Sequence, residues 1–530
     1  MEKLAEHIGE VGSMAAFVHI LYNVCIVEVQ ERRWMVMKKI AIIGAGPGGL
    51  ASAMILAAKG YDVHVYEKQS YVGGRNGHFT LGDYTFDIGP TFLSMPQIME
   101  EIFEMSGRNV HDYMDLKELS PMYELQFDGK RVPMYREREK MLEVIAEHFP
   151  GNEAGYEDFM KDTREKMQAL MPLLQTKHNK LTDYMSKRAL KALPKLSLGK
   201  SVYDVLSDYF TDERLKIAFT FQAKYLGMSP WECPGAFSIL SYMEHEWGVF
   251  HPIGGVNQLS KAMAEVTEEH GGQIHLKEGV QKINVSGKEI TGLVLDSGET
   301  VHADEYIINA DFAEAMTRLV DDGVLRRHSK EKLQKKKFSC STFMIYVGLD
   351  KVYDMPHHTI LFAEDYQKNV NEMTKDLVLS DEPSIYIHNA SVTDPTLAPE
   401  GHSAVYILAP VPNNYSEIDW DDKQETFKSL IYDEIEKKTG FTDIRSHVVE
   451  EKVLTPKQWE TDHFVHQGAT FSLGHQLSQM MYFRPHNRFQ ELDHCWLVGG
   501  GTHPGSGLPT ILESARITTG WIREEEVQPI

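Results

Sequence analysis

The residues with the clearest chemical potential are three glycines, Gly44, Gly46 and Gly49, in the spacing G-x-G-x-x-G. In this spacing the first glycine makes a tight turn, the second admits a pyrophosphate close to the backbone, and the third lets a helix pack on a strand. Glu67 lies 23 positions after Gly44, where a carboxylate can accept a hydrogen bond from a ribose hydroxyl and would repel a 2′-phosphate. These residues predict a dinucleotide site and argue against NADP.

Two further glycine-rich stretches carry groups that suit an anionic or electron-rich ligand. Arg75 follows Gly73 and Gly74 and offers a fork of donors to a phosphate or a carboxylate. Residues 499–509 form a glycine-rich loop before a predicted helix, whose first N–H groups have no partner within the helix. A flavin, which gains charge on reduction, would suit that position.

The hydrophobic pattern predicts the elements that position these residues. Predicted strands cover 38–43, 62–67, 273–277, 280–285, 289–295, 300–302 and 306–311, with a second sheet at 343–349 and 403–410. Predicted helices cover 50–59, 258–270, 419–438 and 510–523. The pattern from 96 to 200 is helical and lacks strand signals. Since predicted strands resume after this helical segment, the first domain is expected to be discontinuous in sequence.

Composition excludes several classes of protein. At 530 residues, with 42% hydrophobic and 25% charged residues, the chain is typical of a globular protein with more than one lobe. A net charge of −23 argues against nucleic-acid binding, which needs a basic surface. The four cysteines form no C-x-x-C pair. This indicates a reducing, cytoplasmic environment and predicts neither structural disulfides nor a metal site.

Two segments bear on membranes. Residues 13–27 are mostly apolar but shorter than the roughly 20 residues that cross a bilayer, so residues 1–36 are interpreted as a dispensable, poorly ordered extension or a loose membrane anchor. Between residues 166 and 200, eight basic residues face one acid, Asp183, with leucines and methionines between them. This predicts an amphipathic helix on a lipid surface, or else an ordinary solvated face.

With these motifs in view, the chain resembles the bacterial phytoene desaturase family, which includes the dehydrosqualene desaturases. The resemblance runs from residue 38 to residue 521. Besides the first glycine loop, it rests on Gly73–Arg75, Phe86–Thr91, Glu246–Val249, Ala398–Gly401, Tyr482–Arg488 and Gly501–Pro509.

The resemblance implies FAD in a fold similar to that of the amine oxidases. By motif match, the cofactor-binding residues are Gly44, Ala45, Gly46, Pro47, Gly48, Gly49, Glu67, Lys68, Gly74, Arg75, Pro90, Thr91, Val280, Asp311, Gly500, Gly501, Gly507, Leu508, Pro509, Thr510 and Ile511. Thr510 departs from the family, in which relatives often carry glycine.

The fold expected from pattern and resemblance is α/β. A Rossmann-like FAD-binding domain is made of residues 37–130, 251–340 and 481–530. Residues 131–250 are expected to form a helical region facing substrate and membrane, and residues 341–480 a mixed sheet with helices.

The activity that the resemblance implies is removal of hydrogens from an acyclic C30 or C40 polyene of the phytoene or diapophytoene type, by hydride transfer to the flavin. Asp162 and Arg164 are the candidate catalytic residues, for proton removal or electrostatic assistance, with a solvated surface pair as the alternative. Because each buried CH₂ contributes about 0.8 kcal/mol, the substrate is expected to come from a bilayer, to which the protein binds peripherally. A quinone or oxygen could receive the electrons.

Two other functions fit the sequence. A carotenoid oxygenase or ketolase would oxidise an end methyl group, so its product gains oxygen. A non-catalytic isoprenoid carrier would bind no flavin and would be colourless, although the intact glycines and Glu67 weigh against it. The sequence leaves open the chain length of the substrate and the number of desaturation steps.

Overall fold

The computed structural model describes residues 37–127 and 129–524. The N-terminal extension and its apolar stretch at 13–27 therefore lie outside the described residues. Within the described part of the chain, no helix combines the length and the apolar character needed to cross a bilayer.

The strands of the described residues are β1 (Lys39–Ile43), β2 (Asp62–Glu67), β3 (His78–Leu81), β4 (Tyr84–Asp87), β5 (Leu93–Ser94), β6 (Leu116–Glu118), β7 (Tyr123–Phe127), β8 (Lys130–Met134), β9 (Val249–Pro252), β10 (Gln273–Leu276), β11 (Val280–Ser286), β12 (Glu289–Leu295), β13 (Thr300–Val301), β14 (Glu305–Ile308), β15 (Ser341–Leu349), β16 (His358–Leu361), β17 (Ile385–Asn389), β18 (Ser403–Val411), β19 (Val448–Leu454) and β20 (Cys495–Leu497).

The α-helices are α1 (Pro47–Ala58), α2 (Pro96–Met105), α3 (Arg138–His148), α4 (Glu153–Leu174), α5 (Lys187–Ala192), α6 (Val202–Ser207), α7 (Glu213–Ala218), α8 (Ile239–Trp247), α9 (Asn257–Glu269), α10 (Phe312–Arg318), α11 (Lys330–Leu333), α12 (Tyr366–Asn371), α13 (Trp420–Lys438), α14 (Pro456–Thr461) and α15 (Leu508–Ile522). Short 3-10 turns connect several of them.

A parallel five-stranded sheet in the order β10–β2–β1–β14–β20 carries the first glycine loop. Side chains alternate across a strand, so Ile40 and Ile42 of β1 pack in the core that contains α1 and α9. Ala41 and Ile43 pack in a second core, with β11, β12 and α10. Because its strands come from three distant segments, the domain is discontinuous, as the sequence predicted.

A seven-stranded mixed sheet forms the other lobe, in the order β19–β15–β18–β17–β16–β7–β8. Strands β16 and β7 run parallel, whereas the other neighbours are antiparallel. The antiparallel pairing of β15 with β18 confirms the predicted second sheet. One face of this sheet packs under α13, whose residues Phe427, Ile431 and Ile435 are buried there.

The prediction that residues 96–200 contain no strand is wrong, because β6, β7 and β8 lie within them. Strand β7 pairs with β16, so it belongs to the second sheet although it falls in the segment 37–130 that we assigned to FAD binding. These strands have at most five residues, and β8 exposes Lys130 and Arg131, so little apolar alternation marks them.

The predicted amphipathic helix over 166–200 is also wrong as a single element. Helix α4 ends at Leu174, two residues after Pro172, and α5 ends two residues before Pro194, since proline interrupts the hydrogen bonds of a helix. Lys166 does not face solvent, because it is buried and its Nζ donates to Ser238 Oγ at 2.9 Å.

Candidate functional site

The first glycine loop connects β1 to α1 at the carboxyl edge of the parallel sheet, where ligands of open α/β sheets bind. Gly44 has a φ of +95°, a conformation that favours glycine, and its N–H donates to Tyr66 O at 2.9 Å. Gly46 caps α1 without a side-chain hydrogen bond. The first N–H groups of this helix are therefore available to an anionic ligand.

The glycines of this loop leave no room for a side chain. A Cβ on Gly49 would lie 2.3 Å from Gly44 O. A Cβ on Gly46 or Gly48 would lie 2.9 Å or 2.8 Å from the amide group of Asn309. At Gly49 the contact is with backbone, so only glycine fits there without a shift of the loop, whereas a side chain at Gly46 or Gly48 would displace the amide of Asn309.

Asn309, directly after β14, is a site residue to which the sequence reasoning gave no role. Its Nδ2 donates to Gly44 O at 3.1 Å, so the end of the neighbouring strand β14 is hydrogen-bonded to the loop. It also lines the cavity beside the loop. The available signal was its position at the end of a buried strand, two residues before Asp311.

Glu67 is the last residue of β2, beside β1, and its carboxylate is buried. Its Oε2 accepts from the N–H of Ala45 at 2.7 Å, and its Oε1 accepts from the N–H of Gln69 at 2.8 Å. These two bonds fix the carboxylate at the edge of the cavity. Each oxygen retains a lone pair for a further donor, such as a ribose hydroxyl.

A cavity lies against the loop. Predicted cofactor residues on its wall are Gly44, Gly46, Pro47, Gly48, Glu67, Lys68, Gly74, Arg75, Val280, Asp311, Gly500, Gly501 and Ile511. The structure thus brings together residues from the first, middle and last parts of the chain. The remaining predicted residues are not on this wall: Ala45, Gly49, Pro90, Thr91, Gly507, Leu508, Pro509 and Thr510.

Arg75 and Asp311, predicted separately, form an ion pair on this wall. Arg75 Nη2 donates to Asp311 Oδ2 at 2.6 Å, and Arg75 Nη1 donates to Thr470 O at 3.0 Å. Asp311 caps α10 through its other oxygen, which accepts from the N–H of Glu314. The guanidinium therefore links the glycine-rich segment at 73–75 to the end of the sheet.

Lys68 has an unusual electrostatic environment on the same wall. Burial, followed by repulsion from Arg318, lowers the pKa of Lys68 to about 7. Its Nζ lies 2.8 Å from the ring centroid of Phe464. An anionic ligand in the cavity would raise this pKa and hold the lysine in its charged form.

The second glycine loop, at 499–507, is fixed by residues to which the sequence reasoning gave no individual role. Buried Arg484 donates from Nε to Thr502 O at 3.0 Å and from Nη2 to Gly500 O at 2.5 Å. Asn487 donates to His503 O at 3.1 Å. Both belong to the motif Tyr482–Arg488, which supports the family resemblance but does not by itself indicate that these residues hold the second glycine loop.

The residues at 507–510 begin α15, which packs on α1. Gly507 has a φ of +110°, and the hydroxyl of Thr510 donates to Ser506 O at 2.8 Å. The threonine that departs from the family pattern thus bonds within its own helical turn. Ile511 approaches the first loop, since a Cβ on Gly48 would lie 3.2 Å from its side chain.

Pro90 and Thr91 lie between the two sheets instead of on the cavity wall. Thr91 Oγ1 lies 2.6 Å from the hydroxyl of Tyr386, in β17. The segment before them is held by two buried tyrosines of the second sheet, because Tyr346 donates to Ile88 O and Tyr406 to Gly89 O.

Asp162 and Arg164 are not brought to the cavity. Both are exposed on α4, where Asp162 accepts from the hydroxyl of Tyr209 at 3.1 Å and Arg164 pairs with Glu246 at 2.9 Å. Their geometry is that of the solvated surface pair that we gave as the alternative. A catalytic role for them stays a prediction without support from their position.

The parallel sheet, its glycine loop, the terminal carboxylate of β2 and the second glycine loop surround one cavity, which defines a dinucleotide-binding protein. The residues fit FAD, since free N–H groups at α1 can take its diphosphate and Glu67 can take its ribose.

Comparison with known proteins gives the family. Residues 47–518 match the family of flavin containing amine oxidoreductases. A 4,4′-diapophytoene desaturase (4,4′-diapolycopene-forming) of Methylomonas sp is 47% identical over 92% of this chain and 96% of its own length. An all-trans-zeta-carotene desaturase of Myxococcus xanthus is 34% identical over 92% of this chain and 94% of its own length.

A solved structure of putrescine oxidase bound to putrescine has a similar fold, with a TM-score of 0.60 and 14% identity over 92% of this chain and all of that one. The chain belongs to the flavin containing amine oxidoreductase family, and within it to the bacterial carotenoid desaturases. Its cofactor is FAD, as the resemblance implied.

Proposed function

We propose that the protein is an FAD-dependent desaturase of an acyclic C30 precursor of the 4,4′-diapophytoene type. The observation that supports this substrate is the 47% identity to the Methylomonas desaturase over nearly the whole of both chains. The intact glycine loops and Glu67 support a flavin-dependent reaction over a flavin-free carrier.

The chain's own residues bind and orient the reactants. The first glycine loop and the N-terminus of α1 would hold the diphosphate of FAD, and Glu67 its ribose. The pair Arg75–Asp311 and the loop at 499–507 would fix the flavin end of FAD. When bound, FAD supplies the hydride acceptor that an unactivated C–H bond requires. Buried Tyr346 and Tyr406 would hold the segment at 88–89 against the second sheet through their bonds to Ile88 O and Gly89 O.

A product assay tests this function. The purified flavoprotein is given 4,4′-diapophytoene or C40 phytoene in liposomes, with a quinone or oxygen as the acceptor, and pigment masses are measured. We expect the C30 product to lose hydrogens in pairs. Addition of oxygen would identify an oxygenase, conversion of phytoene alone would overturn the C30 assignment, and no conversion of either would overturn the desaturase assignment.

We also propose that the protein takes its substrate from a bilayer through an apolar docking face. This face is formed by exposed side chains of two segments, namely Met185, Leu190, Leu193, Leu198, Leu477 and Phe483. The segments adjoin, because the rings of Tyr184 and Tyr482 lie 6.4 Å apart and His486 Nδ1 lies 3.1 Å from His178 O. Phe483 is 62% exposed and Met185 66% exposed, and exposed apolar side chains that group into a patch mark interaction surfaces.

The structure favours the apolar side chains over the basic residues of 166–200 as the groups that bind lipid. Lys195 is paired with Glu165 at 2.5 Å, Lys200 with Asp208 at 2.5 Å, and Lys177 donates to Gly520 O. The basic residues of 166–200 are therefore partly committed to contacts within the protein. Apolar insertion, more than lysine charge, is expected to hold the protein on lipid.

Replacing Leu477 and Phe483 together by serine is expected to weaken sedimentation with phosphatidylglycerol liposomes about tenfold or more. Fully burying one such side chain contributes about 1.5–3 kcal/mol, and these two are already partly covered. The control pair is Val352→Ser with Val449→Ser, at 46% and 52% exposure elsewhere on the surface. Equal sedimentation of both double variants would contradict the docking face; FAD content should stay at the wild-type level in both.

A further inference from the structure

Three buried histidines from distant segments meet where β9 approaches the seven-stranded sheet. His251 lies in β9, His357 precedes β16, and His388 lies in β17. One ring nitrogen of each lies within 4.8 Å of one ring nitrogen of both others. The cysteine pattern predicted no metal site, and these histidines, 31 to 137 residues apart, form no sequence motif.

The nitrogens of this cluster are only partly satisfied. His357 Nε2 and His388 Nε2 lie 2.9 Å apart, so one of them donates to the other. His251 Nδ1 and His357 Nδ1 are buried and have no hydrogen-bond partner among the described residues. A buried polar atom without a partner is destabilising, so a group that uses the lone pair of His251 Nδ1 would stabilise the cluster.

The third histidine is held in the way that a metal ligand usually is. His251 Nε2 lies 3.0 Å from Asp394 Oδ2, and the same oxygen accepts from the N–H of Gly254 at 2.6 Å. The other oxygen of Asp394, Oδ1, accepts from the N–H of Thr396 at 3.0 Å and from its hydroxyl at 2.6 Å. The carboxylate therefore keeps the proton of His251 on Nε2 and leaves the Nδ1 lone pair free.

The charge around the cluster also favours a cation. A buried dication needs nearby negative charge. Asp394 supplies one, and buried Asp87 interacts electrostatically with both His251 and Asp394.

We propose that His251, His357 and His388 bind one divalent transition-metal ion of the zinc type, with Asp394 as the carboxylate that orients His251. Three imidazoles are a ligand set that suits zinc. Tetrahedral zinc bonds of about 2.0–2.1 Å set neighbouring nitrogens about 3.3 Å apart. The Nε2 atoms of His357 and His388, which lie 2.9 Å apart, would therefore separate by a few tenths of an ångström to share one ion.

The site would fasten β9 to the second sheet. The residues after β9 lead directly into α9, whose first residue, Asn257, donates to Val72 O and Asn76 O beside Gly73 and Gly74. A metal at this junction would therefore hold the FAD-binding domain against the sheet of the other lobe. This inference is independent of the substrate proposed above.

Metal content of the full-length flavoprotein tests the proposal. The protein is treated with a chelator, desalted, loaded with one equivalent of Zn²⁺ and desalted again, and zinc is measured by mass spectrometry. We expect about one ion per chain and a higher Tm than for the chelated protein. His388→Gln should retain less than about a tenth of this, whereas His270→Gln, a half-buried histidine elsewhere, should retain all of it.

A second, more conservative variant is needed if His388→Gln does not fold. Loss of flavin absorbance would show that it has not folded. Asp394→Asn keeps the shape of the side chain and should weaken zinc binding about 10–100-fold with FAD retained. Less than about a tenth of a zinc ion per wild-type chain, or equal zinc in wild type and in the folded cluster variant, would overturn the metal site.

Discussion

Replacing Gly49 by alanine is expected to leave the purified protein with less than about a tenth of the wild-type FAD. The new Cβ would lie 2.3 Å from Gly44 O, where a normal contact needs more than 3 Å, and 2.8 Å from Asn309 Nδ2. Relief requires a shift of about 1 Å in the loop, and overpacking of this kind costs about 1–3 kcal/mol. Each 1.4 kcal/mol taken from binding weakens FAD affinity about tenfold.

Gly440→Ala is the matched control for this variant. Gly440 is exposed, and a Cβ there would meet only Arg131 Nη2, at an ordinary 3.5 Å. The measurement is the ratio of flavin absorbance to protein after gel filtration, together with a thermal melt that reports folding. A folded Gly49→Ala protein with a full complement of FAD would show that the loop does not bind the cofactor as proposed.

The first glycine loop was predictable because its requirements are local. Gly44, Gly46 and Gly49 lie within six residues, and the shortest contact that excludes a side chain at Gly49, with Gly44 O, belongs to the same turn. Glu67 was predictable for a related reason, since a strand of known length places it at the carboxyl edge of the sheet. Local chemistry and strand geometry together fix these positions.

The rest of the site depends on contacts that no local pattern encodes. Asn309 meets the glycine loop across 265 positions of sequence, and Arg75 meets Asp311 across 236. The resemblance supplied Asp311, but neither pattern nor resemblance indicated that the two side chains would pair. The same limit applies to the histidine cluster, because pairing of β16 with β17 and the crossing of β9 bring its members together.

The wrong strand prediction has a different origin. Strands β7 and β8 are short, and β7 pairs not only with neighbouring β8 but also with β16, at 358–361, more than 200 residues away. Long-range pairing, and not local preference, stabilises such strands. The candidate catalytic residues illustrate a further limit. The resemblance suggests Asp162 and Arg164, but the sequence could not orient their helix relative to FAD.

Replacing Arg484 by methionine is expected to weaken FAD binding about 10–100-fold while the fold is retained. The guanidinium is buried and, among the described residues, pairs with no acid; burial lowers its pKa to about 9, so it is charged at neutral pH. Its removal saves the cost of burying a charge. It also leaves the carbonyls of Gly500 and Thr502 without their donor, and each such loss costs about 1–3 kcal/mol.

Stability and cofactor affinity respond differently to these two effects, which makes the prediction testable. The saved desolvation energy offsets the lost hydrogen bonds in the free energy of unfolding, so the Tm is expected to change little. The loop at 499–507 nevertheless loses its anchor and binds FAD less well. Arg484→Lys keeps the charge without the planar fork and should give an intermediate FAD affinity. Arg131→Met, at a half-exposed arginine far from the loop, is the control. Wild-type FAD affinity in folded Arg484→Met would contradict this role, because the anchor would then be dispensable for the cofactor.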